Sequence, residues 1–184
     1  MECLYGCDRS KKQRTYLDDS RRSVTAVDDC QELLPNLTAD QKCILEETWG
    51  IVQSDISKVG VVLFMRLFEK CPNVQDLFVP LRGLSSEELR NSDRLREHGM
   101  RVMGIIEKCV ARLHRPDQLE KLLLDLGQKH VYYNVKPDYI DLFGPQLQLA
   151  IKPAIGDRWT SEVEEAWSAF LNFISHIIKN AMTF

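Results

Sequence analysis

Two of the four histidines, His98 and His130, stand where a helical reading of their neighbours turns them inward. His98 follows Leu95 by three residues and precedes Val102 by four, so the three share one helix face. His130 follows Leu126 by four and shares its face in turn. Two inward imidazoles with no Cys, Asp or Glu close by in the pattern suit zinc poorly, because zinc draws nearly all its ligands from such side chains. They better suit a metal that arrives with most of its ligands already in place. The iron of a heme is such a metal: the porphyrin supplies four nitrogens, and neutral imidazole fills an axial position well. A flat apolar group would also make use of the aromatics Phe64 and Phe78. From the residues alone, one alternative stays open. Each histidine could be a core residue bonded to a backbone carbonyl, as buried polar groups usually are. His114, beside Arg115-Pro116, and His176, one residue off the stripe marked by Phe173 and Ile177, read as rim groups without an assigned role.

The elements that must carry these side chains are helices. From Thr38 onward apolar residues recur at helical spacing, and no alternating strand pattern interrupts them. Thr38 and Gln41 form a capping-box pattern that opens a helix to about Ser54, with Ile44, Leu45, Trp49 and Val52 on one face. A second helix runs to about Lys70 and buries Val59, Leu63, Phe64, Leu67 and Phe68. Pro72 starts a short turn that ends near Phe78, and residues 79–91 form a polar loop with one turn around Ser86–Leu89. A long helix from about Ser92 to Leu113 carries His98. Pro116-Asp117 recaps the chain into the helix that ends near His130. The break between those two helices is short, which places them side by side with both stripes inward. Pro137 opens a further helix with Ile140, Phe143, Leu147, Leu149 and Ile151 inward. The last starts at Thr160 or Ser161, where Ser161 and Glu164 also fit a capping box. The expectation is an all-α chain of six main helices, with one or two short ones between the second and the long one.

Bulk composition narrows the function classes. A net charge of −3 gives no electrostatic basis for nucleic acid as a partner. No apolar run approaches the roughly 18 residues of a spanning helix, and Met1-Glu2-Cys3-Leu4-Tyr5 lacks the apolar stretch of a secretory signal. The six cysteines, at 3, 7, 30, 43, 71 and 109, are then read as reduced thiols of a cytoplasmic protein. Residues 1–36 are rich in charge and poor in helical period, which predicts a flexible N-terminal extension before a folded domain over 37–184.

Across about residues 38–180 the chain resembles the globin family. The likeness rests on Trp49, on Val62-Leu63-Phe64, on Leu67-Phe68-Glu69, and on Pro72 followed by Leu77-Phe78. It continues through His98 with Val102, Leu126-Gly127-Gln128-Lys129-His130, and Glu165-Ala166-Trp167. Within the family the chain is most similar to globin X and next to neuroglobin, through Arg96-Glu97-His98-Gly99-Met100-Arg101-Val102-Met103, Tyr133-Asn134 and Arg158-Trp159-Thr160-Ser161-Glu162. The resemblance implies a three-on-three helical sandwich around heme b (iron protoporphyrin IX). It makes His130 the proximal ligand and His98 the distal histidine, and it implies iron held by both. Phe78 would pack on the heme face, and Phe64 and Val102 would shape the ligand pocket. Leu126, Val135 and Ile140 would line the proximal side and edge, and Arg101 would reach a heme carboxylate. The implied function is reversible binding of oxygen, nitric oxide or another diatomic molecule. A redox or electron-transfer role, for example nitrite reduction with an unidentified reductase, and a heme-based sensor are the alternatives.

Globin X proteins of several animals are held at membranes by acylation of a Met-Gly-Cys start, which the resemblance brings into question here. Glu2 removes the glycine that N-myristoylation requires. Cys3 and Cys7 are still candidates for palmitoylation, and Arg9, Lys11, Lys12 and Arg14 would favour anionic lipid at the inner face of the plasma membrane. An unmodified extension is the preferred reading.

Overall fold

The computed structural model describes residues 37–183. The anticipated acylation sites Cys3 and Cys7, the basic residues near them, Cys30 and the whole extension expected over 1–36 lie outside the described residues. Eight helices follow one another: α1 Ala39–Val52, α2 Ile56–Lys70, α3 Pro72–Gln75, α4 Ser86–Arg90, α5 Asp93–Val110, α6 Pro116–Tyr132, α7 Pro137–Ile155 and α8 Ser161–Met182. No strand occurs among the described residues. Six long helices with two short ones between α2 and α5 is the anticipated arrangement. Single 3₁₀ turns at Gln53–Asp55, Val79–Leu81 and Gly156–Arg158 complete it.

The start signals act as the chemistry of helix ends requires. Thr38 accepts from the Gln41 amide while the Gln41 side chain returns to the Thr38 amide, a reciprocal cap that satisfies two orphan donors. Ser92 caps α5 through the Leu95 amide. Proline opens α6 and α7, where a missing N–H costs nothing. At α8 the expected Ser161–Glu164 box does not form. Thr160 has the extended backbone a cap needs and accepts from the Val163 amide, so Ser161 is already helical. Glu164 instead accepts from the indole N–H of Trp159 at 2.9 Å. Leu149 also departs from expectation. It is 45 % exposed, because the helical period carries it past the edge of the stripe that buries Leu147 and Ile151.

The helices form two layers: α2, α7 and α8 pack side by side, and α1, α5 and α6 lie against them. Leu45, Leu63, Leu95, Met103, Leu123, Leu147, Ile151, Trp167 and Phe170 fill the space between. Two glycines let backbones touch where the histidines must be placed. Where α2 crosses α5, a methyl group on Gly99 would sit 2.8 Å from the Gly60 carbonyl carbon. Where α6 lies along α8, a methyl group on Gly127 would sit 2.6 Å from both the Ile178 oxygen and the Ala181 side chain. Neither approach tolerates a side chain. Far from these crossings, the Trp167 indole N–H donates to the Thr48 hydroxyl at 3.0 Å, joining α8 to α1 inside the core.

Candidate functional site

The two glycine crossings put His98 and His130 on one cavity. His98 adjoins Gly99 in the sequence, and His130 lies three residues after Gly127, so each histidine follows from a tightly fixed stretch of backbone. The cavity is about 150 Å³ and is lined by both histidines together with Phe64, Phe78, Val102, Leu126, Val135 and Ile140. Every site residue anticipated from the sequence is therefore gathered there except Arg101. That side chain is exposed, does not line the cavity, and lies against His98 with Nη2 3.4 Å from Nδ1.

The two imidazoles have different surroundings. His130 Nδ1 is 2.8 Å from the carbonyl oxygen of Leu126, one turn earlier in α6. A carbonyl only accepts, so Nδ1 carries the proton and Nε2 keeps its lone pair. His98 packs against two mutually touching rings, 4.8 Å from Phe64 and 4.9 Å from Phe78, centroid to centroid and edge-on to both. Burial in this apolar setting, then the positive charge of Arg101 and the proximity of His130, push the His98 pKa down to about 4. The ring is thus neutral at physiological pH.

Several wall residues escape a reading of the sequence as a binding site. Ile174, Ser175 and Ile178 come from α8, and Ile105, Ile106 and Cys109 from the far half of α5. Helical period marks such residues as inward but does not separate those that fill the core from those that border a void. Cys109 is fully buried, and burial pushes its thiol up to about 12, which keeps it protonated and unreactive. The remaining histidines behave as rim groups. His114 is exposed beside Glu46, with Nε2 3.2 Å from Oε1, and His176 is exposed beside Asn180.

What the cavity can hold follows from its donors. Among the described residues, no group of three or more His, Cys, Asp or Glu is placed to enclose a bare ion. A neutral imidazole lone pair facing apolar and aromatic walls fits an iron porphyrin, which contributes its own four nitrogens and wants a dry, flat slot. No helix among the described residues is long and apolar enough to cross a membrane.

Comparisons with known proteins agree with this arrangement. The family model named Globin matches residues 61–178. Cytoglobin-2 of Danio rerio is 29% identical over 149 residues, covering 80% of this chain and 83% of the relative. Neuroglobin of Tetraodon nigroviridis is 30% identical over 146 residues, covering 79% and 90%. Among solved structures, a hexacoordinated heme protein from an anhydrobiotic tardigrade superposes with a TM-score of 0.77 at 20% identity. That match covers 80% of this chain and 96% of the other, and it speaks to the fold alone.

Proposed function

The chain belongs to the globin family as a heme-binding member, and from that premise we propose that it reversibly binds oxygen and other diatomic molecules at a heme b held by His130, with His98 as a second, displaceable axial ligand. Heme b supplies the iron at which a diatomic molecule attaches and leaves. The single observation that carries the reading is the convergence of His98 and His130 on one apolar cavity, His130 with its Nε2 lone pair left available by the Leu126 carbonyl.

The side chains of this protein do the rest. The Leu126 carbonyl fixes the His130 ring and raises its strength as a ligand. Phe64, Phe78 and Val102 shape the space beside His98, and Leu126, Val135 and Ile140 the space beside His130. All six exclude water. His98, neutral and packed edge-on against the Phe64 and Phe78 rings, would offer either an N–H to a bound molecule or a lone pair to the iron. Were His98 to hold the iron, the apparent affinity for an external molecule would fall with the fraction of open protein.

The likeness to globin X, a domain over 37–184 and a cytoplasmic location served by a separate reductase belong to the same reading. An unmodified extension, with no acyl tether at Cys3 and Cys7, completes it. Replacement of His130 by Ala is expected to abolish or greatly weaken heme retention, read as loss of the Soret band; normal retention overturns the assignment. The ferrous protein is expected to show a split low-spin visible spectrum that becomes broad and high-spin in His98→Leu. A broad spectrum in the unmutated protein removes His98 from the iron. Rapid autoxidation with appreciable nitrite turnover would favour the redox alternative.

A further inference from the structure

We propose that Arg101 is a positioning residue that holds His98 in the tautomer with its proton on Nε2, and so sets the balance between His98 as hydrogen-bond donor to a bound molecule and His98 as axial ligand. The inference rests on the heme-globin reading above and concerns a residue outside the cavity wall.

A guanidinium has five N–H donors, no acceptor, and a proton it does not give up. Whatever nitrogen faces it must offer a lone pair. Arg101 Nη2 stands 3.4 Å from His98 Nδ1, so in this arrangement Nδ1 is the acceptor. A neutral imidazole carries one ring proton, which is then on Nε2. His130 is held the opposite way: its Nδ1 meets a carbonyl and keeps the proton, leaving Nε2 bare. Two histidines on one cavity are therefore prepared for different work by what touches their Nδ1 atoms, one to ligate and one to donate.

His98 cannot coordinate through an Nε2 that bears a proton. To become an axial ligand it must transfer that proton from Nε2 to Nδ1 by way of water, which changes no net charge. Nδ1–H would then oppose the Arg101 N–H, donor against donor, so the contact has to open. The edge-on packing of Phe64 and Phe78 at 4.8 and 4.9 Å keeps the His98 ring plane in place during the exchange. Arg101 is the partner free to move, because its side chain is exposed and makes no salt bridge among the described residues. An anionic group that draws the guanidinium away would release His98 to the iron, and a guanidinium returned to Nδ1 would favour the donor state.

The experiment compares the heme-loaded protein with Arg101→Met, Arg101→Lys and His98→Leu. Carbon monoxide is photolysed from the ferrous complex, and the rate at which His98 returns to the iron is followed against carbon monoxide rebinding. Arg101→Met keeps the bulk and removes every donor. It is expected to raise the return rate and the equilibrium constant for binding of His98 to the iron by roughly three- to tenfold, the loss of one charge-assisted hydrogen bond at an exposed site. Arg101→Lys, which keeps a charge and a donor, is expected to fall back toward the unmutated protein. Nitrogen-15 spectra of the carbon monoxide complex should show His98 protonated on Nε2 in the unmutated protein and a mixture of tautomers in Arg101→Met. An unchanged return rate and tautomer in Arg101→Met, with a ferrous spectrum that His98→Leu does alter, overturn the role given to Arg101 alone. A ferrous spectrum that His98→Leu leaves unaltered overturns the axial role of His98, and this inference with it.

Discussion

The α5 and α6 sides of the cavity solve one problem with different materials. Each must present an imidazole at a fixed height, and each does so beside a glycine that brings two helices into backbone contact, Gly99 on Gly60 and Gly127 on Ile178. The difference lies in what holds Nδ1. On α6 it is a main-chain carbonyl of the same helix, which cannot leave unless the helix unwinds. On α5 it is the tip of an exposed arginine. One side is permanent and the other adjustable, which suits a binding site in which one bond to the metal persists and the other yields.

The contrast can be broken most forcefully at the glycines. Gly99→Ala and Gly127→Ala each force a methyl group to within 3 Å of main-chain atoms, and each is expected to lower stability by about 3 kcal/mol in urea unfolding. The consequences should then part: Gly99→Ala changes the six-coordinate fraction with heme retained, whereas Gly127→Ala speeds heme loss. Acid is the next lever, on the α5 side. The unfolded His98 ring takes up its proton near pH 6.5, but the folded one not until about 4, owing first to burial and then to Arg101 and His130. The folded pKa is depressed, so this contribution is fully present above about 6.5, is lost as pH falls through the window, and levels off below 4. Unfolding free energies of the heme-free protein measured from pH 7 to 4 should fall less steeply in His98→Leu, by an amount on the order of 2 kcal/mol over the window. The smallest effect is at the helix starts. Ser92→Ala removes the cap of α5 and should cost about 1 kcal/mol. Arg115→Ala should cost little, since α6 opens on Pro116 without a side-chain cap.

Much of this was legible before any coordinates. The helix starts at Thr38, Ser92, Pro116 and Pro137 are local chemistry, and the placement of His98 and His130 on apolar stripes follows from period alone. What escaped depends on the third dimension. Thr160 and Ser161 are both acceptable caps by type, and only the backbone angle at Thr160 decides between them. Leu149 fits the inward period yet lies past the edge of the packed face. Gly99 and Gly127 occur inside helical patterns, where glycine costs stability and so asks for a reason, but the helix each one meets is far away in the chain. The contact between Arg101 and His98 is at helical spacing and was within reach. The resemblance implies a carboxylate of the cofactor as a partner for Arg101, and the histidine one turn back is a second partner that the spacing also carries.

The hydrogen bond between Trp167 and Thr48 spans 119 positions of the chain. A ribosome adding roughly 5–20 residues per second needs about 6–24 s to travel from one partner to the other. Throughout that interval the emerging α1 has no α8 to rest on, and the cavity lacks the wall that Ile174 and Ile178 provide. A chain cut short before its final helix would therefore leave the cell a half-built, greasy cup, with both histidines in place and one side of their slot open to water.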